Sequence, residues 1–173
     1  WQLNGFSSST PLTLTHQQLS TRRQAHRLLF LEDDAPMYSD VFTRQNGAVL
    51  SLSNELYSLW RAAGSINPEE EADVCLSLLM GYNATIYDDG DKQARIQEVL
   101  DRCWHVLERL PSSLLKVRLL TYCYAEVYDD GLAEAHAIMD GWRKDSLAPE
   151  EREMIELLRG IEENPYPWVE VEE

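Results

Sequence analysis

The fold is decided by residues 67–90, which read NPEEEADVCLSLLMGYNATIYDDG. Asn67 is a favoured N-cap, Pro68 fits the first helical position, and the acidic residues 69–71 suit the positive end of a helix. After this start, apolar residues recur at the spacing of one helix face: Ala72, Cys75, Leu76, Leu79 and Ile86. The sequence DDG at 88–90 is typical of a turn. The stretch therefore predicts an amphipathic helix that ends at an acidic turn.

Parts of this stretch recur further along the chain. Leu78-Leu79, Tyr87-Asp88-Asp89-Gly90 and Trp104 are echoed by Leu119-Leu120, Tyr128-Asp129-Asp130-Gly131 and Trp142, and Pro68, Pro111 and Pro149 each precede a leucine pair. If the pattern is a true repeat, each unit is a helical hairpin of roughly 40 residues, a length found in helical-repeat families. Coincidence is the alternative, because Asp-Gly turns and leucine pairs are common in proteins.

Helical spacing also covers most of the remaining chain, and no segment alternates strictly enough to predict a strand. The first predicted helix begins near Thr15, and a second helix or pair of helices ends near Ala63. A further helix follows Gly90, and three more cover residues 114–128, 132–143 and 149–163. The expected fold is all-α, with about six to eight helices in stacked antiparallel hairpins. We expect a poorly ordered leader at 1–14, a single helical domain at 15–163 and an extended tail at 164–173.

Charge excludes several classes of partner. Thirty acidic residues against 15 basic ones give a net charge of -15, which repels nucleic acid and anionic lipid. The excess lies in residues 126–173, which hold 15 acidic and four basic residues. Such a run solvates a surface in most proteins, and in others forms a docking face for a basic partner. No secretory signal follows Trp1, and the longest apolar run, Leu28–Leu31, is too short for a membrane span, so we predict a cytoplasmic protein.

The sequence contains no pattern that supports catalysis or metal binding. The cysteines have no Cys-x-x-Cys spacing, which favours reduced, buried thiols, and the four histidines are dispersed. Residues 87–91, YDDGD, lack the spaced ligands and the distal glutamate of a calcium loop. Phosphate loops and nucleophile elbows are missing. We therefore predict no enzymatic activity and no cofactor. The alternative is an unrecognised carboxylate-dependent hydrolase, which needs a carboxylate of raised pKa in a cleft.

The tail begins with Asn164-Pro165-Tyr166-Pro167-Trp168. Two prolines exclude a helix and favour an extended segment, in which the aromatic rings stand beside a run of acids. Either these rings fold back onto the last hairpin, or they enter a groove of a partner.

Five segments, taken in order along the chain, resemble one protein family. They are Tyr38-Ser39-Asp40, Ser53-Asn54-Glu55-Leu56-Tyr57, residues 79–87 (LMGYNATIY), residues 119–124 (LLTYCY) and residues 163–168 (ENPYPW). No single segment is a mechanistic motif, so the specificity lies in their number and order over residues 38–168. The chain resembles the UpxZ family, antagonists of transcription antitermination that are encoded in capsular polysaccharide loci of gut anaerobes.

The resemblance implies a function that composition could not. UpxZ proteins act in trans on UpxY proteins, which are NusG-like antiterminators that let RNA polymerase read through the leader of their own locus. Blocking noncognate antiterminators imposes a hierarchy among surface polysaccharides. The implied partner is a UpxY protein, either free or within the RNA polymerase elongation complex, and the implied action includes no enzymatic step.

Partner-binding residues are expected where acidic and aromatic side chains meet a turn or the tail. The candidates are Tyr82, Asn83, Tyr87, Asp88, Asp89 and Trp168. Core packing explains the two tyrosines equally well, and the two aspartates fit a simple turn. A generic helical scaffold for short peptides is the alternative function; such a scaffold would not depend on a folded NusG-like partner.

Overall fold

The computed structural model describes residues 4–31, 39–64, 66–124 and 130–163, with side chains over 14–28, 39–64, 66–123 and 132–163. The helices are α1 (Asn4–Leu31), α2 (Asp40–Ala62), α3 (Pro68–Ala84), α4 (Lys92–Glu108), α5 (Leu114–Tyr124), α6 (Asp130–Asp140) and α7 (Pro149–Glu163). These residues contain no strand, so the all-α prediction is confirmed, with a helix count inside the expected range.

The helices form two compact units within the chain. The first unit, Trp1–Glu108, holds α1 to α4, and the second, Arg109–Glu173, holds α5 to α7. In the first unit α1, α2 and α3 pack against one another and α4 packs against α3; in the second, α5 packs against α6 and α7. Helical periodicity could not separate the two units, because it shows that a face is buried and not which helix covers it.

The first helix begins earlier than predicted. Helix α1 starts at Asn4, and not near Thr15, and continues to Leu31. Residues 1–14 lack an apolar period, but periodicity reports packing, whereas helical hydrogen bonds form along the backbone whatever face is buried.

The predicted start of α3 is confirmed in detail. Asn67 caps the helix, because its Oδ1 accepts a hydrogen bond from the Glu70 N–H at 2.9 Å, and Pro68 is the first helical residue. Upstream, α2 ends at Ala62, and Gly64 follows with a φ of 71°, a conformation that glycine adopts at little cost. The sequence signals at this boundary were local, which is why they could be recognised.

Three helices of the first unit approach closely around Gly81. A Cβ atom at this position of α3 would lie 2.2 Å from Ser53 Oγ on α2 and 2.9 Å from Thr21 Cγ2 on α1. Both small polar side chains are buried and bonded to their own helices: Ser53 Oγ donates to the Val49 carbonyl and Thr21 Oγ1 to the Gln17 carbonyl, each at 2.8 Å. This contact brings the backbones together, and the leucines of α3 and Val74 are buried in the core.

Helical hairpins α3–α4 and α5–α6 agree with the repeat only in part. Both leucine pairs are buried, at Leu78-Leu79 and Leu119-Leu120. The turns differ, however, because Gly90 precedes α4, whereas Asp130 and Gly131 open α6. Helix α5 is described only to Tyr124, so the predicted extension to Tyr128 lies outside the described residues.

Two further observations concern covalent and membrane chemistry. Cys75 and Cys103 are buried, Cys123 is half-buried, and none of these three, all of them described, forms a disulfide. Over the described part of the chain, no helix has both the length and the apolar character that a membrane span requires.

Candidate partner-binding site

The α3–α4 loop, residues 85–91, is fastened to α2 through one buried side chain. Asn46 is fully buried, and its Oδ1 accepts a hydrogen bond from the Ile86 N–H at 2.9 Å. Thr85 Oγ1 donates to the backbone carbonyl of Asn46, also at 2.9 Å. From the start of α4, the Lys92 ammonium donates to the Thr85 carbonyl at 2.5 Å. Helix α2 and the start of α4 therefore both fix the backbone of the first half of the loop.

The second half of the loop is an acidic turn of local origin. Asp88 Oδ1 accepts a hydrogen bond from the Gly90 N–H at 2.8 Å, and Asp89 Oδ1 accepts one from the Asp91 N–H at 3.1 Å. Gly90 has a φ of 93°, which disfavours any side chain. Aspartate side chains often bond the backbone two residues further on in this way. The predicted turn at 88–90 is confirmed.

Asp89 also ties the loop to the neighbouring helices. Its carboxylate accepts hydrogen bonds from Arg95 Nη1 at 2.8 Å and from Asn54 Nδ2 at 3.1 Å. The bond from Arg95 is the main cause that lowers the pKa of Asp89 from an ordinary value of 3.8 to about 2. The negative charge of Asp89 is thus already paired, which suits a residue that positions the loop.

Tyr82 belongs to the core. Its side chain has no exposed surface, and its hydroxyl donates to Asn54 Oδ1 at 2.9 Å. Burial raises the pKa of Tyr82 well above its usual range. Its complete burial favours the core-packing alternative for Tyr82 over contact with a partner. Asn54 then links the Tyr82 hydroxyl to the Asp89 carboxylate, a bridging role that the sequence analysis missed.

The remaining candidates have different positions. Asn83 near the end of α3 and Asp88 in the loop are exposed, and Tyr87 between them is half-buried. The structure thus brings these residues into one short segment at the α3–α4 connection. Trp168 lies outside the described residues.

Ile86 in this segment does not lie on the buried face of α3 that its spacing predicts. It was predicted on the inner stripe of α3, but the helix ends at Ala84 and the Ile86 side chain is 64% exposed. Thr85 and Tyr87 on either side are, like isoleucine, residues that favour extended structure. The run Thr85-Ile86-Tyr87, directly before an Asp-Asp-Gly turn, is a sequence signal for an earlier end of the helix.

A shallow polar groove lies between α2 and α4 in the same unit. Its volume is about 430 Å³, and it is lined by Asn54, Tyr57, Ser58, Arg61, Asp91, Ala94, Arg95 and Glu98. The Tyr57 hydroxyl donates to Glu98, and the guanidinium carbons of Arg61 and Arg95 lie 5.7 and 5.9 Å from the centre of its ring. Burial and the neighbouring Glu98 raise the pKa of Tyr57. The charges of this groove are therefore largely paired with one another.

The hydrolase alternative needs a carboxylate of raised pKa in a cleft. Asp89, which lies beside this groove, has a lowered pKa. Among the described side chains, no group of three or more histidine, cysteine, aspartate or glutamate residues is placed to hold a metal ion.

Comparison with known proteins identifies one family, and the matched residues include the α3–α4 loop. The model of the UpxZ family of transcription anti-terminator antagonists matches residues 18–125, which include the whole α3–α4 loop. The solved structure of a transcription anti-terminator antagonist UpxZ from Bacteroides uniformis ATCC 8492 is 48% identical to this chain, with a TM-score of 0.78. The alignment covers 92% of this chain and 99% of that chain. No match was found among curated proteins. This chain therefore belongs to the UpxZ family of transcription anti-terminator antagonists.

Proposed function

We propose that this protein inhibits noncognate NusG-like UpxY antiterminators of capsular polysaccharide loci by binding them directly. The observation that carries the proposal is the α3–α4 loop, an exposed acidic turn held on a fixed backbone within the part of the chain that the family model matches. A preorganised loop loses little conformational freedom when a partner binds, so more of the contact energy remains as affinity.

Charge favours a basic partner. The chain carries a net charge of -15, and NusG-like proteins, as the family resemblance implies, contact polymerase and nucleic acid through basic surfaces. A negative surface competes for the same cations. Complementary charge mainly speeds encounter and selects partners, while apolar and aromatic anchors supply most of the affinity. The antagonist acts in the cytoplasm by occupying a surface, without a chemical step or a cofactor.

The first experiment is a pull-down of the purified protein against a panel of UpxY antiterminators at two salt concentrations, with and without RNA polymerase. We expect binding to the free antiterminator that weakens at high salt. Binding only when polymerase is present moves the target to the elongation complex. Absence of binding under all of these conditions would contradict the proposal and favour the alternative of a helical scaffold for short peptides.

Replacing one loop charge tests the contribution of the loop to encounter. Asp88→Asn removes a charge and keeps a side-chain oxygen that can accept from the Gly90 N–H. We expect a lower association rate and a shallower salt dependence, measured by stopped-flow or surface plasmon resonance. Glu108→Gln is the matched control, because it removes one exposed charge at the end of α4. Equal rates for both variants would exclude the loop from steering.

The tail is tested separately because Trp168 lies outside the described residues. If the tail docks a partner, Trp168→Ala weakens inhibition of antitermination in a transcription assay and leaves the helical circular dichroism of the free protein unchanged. Val169→Ala is the neighbouring control. A loss of helical signal in Trp168→Ala, with no such loss in the control, would instead make the tryptophan part of the core.

A further inference from the structure

Ile86 is the most exposed large apolar side chain among the described residues, at 64%. Leu19 on α1 and Val41 on α2 follow, at 58% and 51%. Single exposed apolar residues are ordinary on protein surfaces, so exposure alone would carry no conclusion. Ile86 differs from the other two because it stands on a loop whose backbone is held by a buried polar group.

That polar group is the amide of Asn46. An amide buried without partners is costly, and the Asn46 side chain meets this cost by donating to the Phe42 carbonyl at 3.0 Å and accepting from the Ile86 N–H at 2.9 Å. Thr85 Oγ1, which donates to the Asn46 carbonyl, also accepts from the Tyr87 N–H at 3.2 Å. The backbone on both sides of Ile86 is therefore bonded.

Because its backbone is fixed and its side chain is branched, Ile86 loses little conformational entropy when a partner buries it. Branching at Cβ restricts χ1, so the side chain has little rotamer freedom to lose when a partner covers it. The bond to Asn46 uses the backbone N–H of Ile86 and persists for any residue except proline. The side chain itself is thus free for recognition and can be changed without loss of the loop conformation.

The surroundings of Ile86 resemble the composition of an interface centre. Asn83 and Asp88 are exposed, and Tyr87 is half-buried and adjacent in sequence. The loop carries three aspartates: Asp89 and Asp91 face the Arg95 guanidinium at 2.8 and 3.9 Å, whereas Asp88 is exposed. Interfaces commonly place an apolar anchor at the centre and polar groups at the rim. An apolar side chain with acidic neighbours fits an apolar recess with lysine or arginine at its edge.

We propose that Ile86 is the apolar anchor of the antagonist surface and enters an apolar recess with a basic rim on the partner protein. This inference rests on the proposed function, since the partner used to test it is the antiterminator that the unaltered protein binds. The anchor governs how long the complex lasts, and Asp88 governs how fast it forms.

The test measures association and dissociation rates of the full chain with that antiterminator at low and high salt. We expect Ile86→Ala to weaken binding at least about tenfold, mainly through faster dissociation and equally at both salt concentrations, whereas Ile86→Leu restores most of the affinity. Leu19→Ala and Val41→Ala, which remove exposed apolar groups of the same unit, should bind like the unaltered protein. Thermal unfolding and circular dichroism of Ile86→Ala should be unchanged.

Three outcomes overturn the inference. Binding by Ile86→Ala as tight as by the Leu19 and Val41 variants removes Ile86 from the interface while the proposed function stands. An effect that disappears at high salt means that charge and not apolar contact is involved. Sedimentation that shows a dimer of the unaltered protein, broken by Ile86→Ala, assigns the residue to a second copy of this chain. Failure of the unaltered protein to bind any antiterminator defeats the proposed function instead.

Discussion

Both units of this protein are helical, but different kinds of contact stabilise the interior of each unit. In the first unit, Gly81 lets α3 approach Ser53 and Thr21 on its neighbours, and the buried Asn46 fastens the α3–α4 loop. The second unit combines amphipathic faces with partly exposed polar contacts: Met154 and Leu158 of α7 are buried, Lys116 on α5 pairs with Glu134 on α6, and His136 on α6 contacts Glu162 on α7. Close backbone packing with buried polar cross-links fixes one geometry more strictly than apolar faces with partly exposed polar contacts.

The first unit provides a rigid support for a recognition loop. A loop that presents a residue to a partner must be held by groups that themselves cannot move, and the first unit supplies such groups around residues 85–91. The part of the chain matched by the family model covers most of this unit. We therefore expect substitutions in the first unit to disturb both stability and recognition, and substitutions in the second unit to disturb stability less.

The largest effect is expected at the close contact. Gly81→Ala should lower the free energy of unfolding by about 3 kcal/mol, because the new methyl group would displace the buried Ser53 hydroxyl from its bond to Val49. Urea denaturation measures the loss, and hydrogen exchange should rise more in α1–α3 than in α5–α7.

Two glycines provide matched controls for this substitution. Gly47 in α2 and Gly160 in α7 have no atom within 4 Å of an added Cβ, so Gly→Ala there should raise stability by up to about 1 kcal/mol. If Gly81→Ala also stabilised the protein, the close contact would not be the feature that distinguishes the first unit.

A smaller loss is expected when the loop is released. Asn46→Ala leaves the Ile86 N–H without its buried acceptor and should cost about 2 kcal/mol of unfolding free energy. Amide hydrogen exchange should increase at residues 85–87 beyond the general increase elsewhere. Unchanged protection of these amides would mean that Asn46 does not hold the loop.

The pairing of Asp89 should appear as a pH dependence. Because its folded pKa is about 2 against an ordinary value of 3.8, Asp89 stabilises the folded state above about pH 4, and this contribution is lost as the pH falls toward 2. Asp89→Asn should therefore be less stable than the unaltered protein at pH 7, with the difference shrinking to nothing near pH 2. Thermal unfolding from pH 7 to 2 measures it, and a constant difference would contradict the pairing with Arg95.

The smallest effect is expected at an ion pair of the second unit. Lys116 is nearly buried, and its ammonium lies 2.7 Å from Glu134 Oε1. Lys116→Met should leave stability unchanged or slightly higher, because an apolar side chain avoids the desolvation of the charge. Glu134→Gln keeps the lysine but removes its counter-ion, so it should be the less stable of the two in urea. The reverse order would show that the second unit also depends on polar cross-links.

Local signals in the sequence predicted much of the fold. Asn67 and Pro68 marked the start of α3, Gly64 the end of the preceding helix, and Asp88 to Gly90 the turn, because each depends on backbone bonds within a few residues. The class followed from periodicity along the chain. Of the candidate contacts, Asn83, Tyr87 and Asp88 remain at the α3–α4 connection, while Tyr82 proved to be core.

Features set by distant residues could not be predicted in this way. Ile86 fits the spacing of the inner stripe of α3, but bonds from the Thr85 hydroxyl and the Ile86 N–H to Asn46 on α2 hold this segment outside the helix. Likewise, the sequence alone did not reveal that Asn54 would join Tyr82 to Asp89. These contacts depend on which helix faces come together, and that choice is made by the packing of the whole unit.

The helical class, the start of α3, the turn at 88–90, the net charge and the family resemblance could all be predicted from the sequence, since residue types and short spacings carry them. The division of the helices into two units, the close contact at Gly81 and the exposure of Ile86 became visible only in the folded structure. The physical reason is that periodicity specifies a face to be buried, whereas burial, close approach and the satisfaction of polar groups depend on the partner that covers that face.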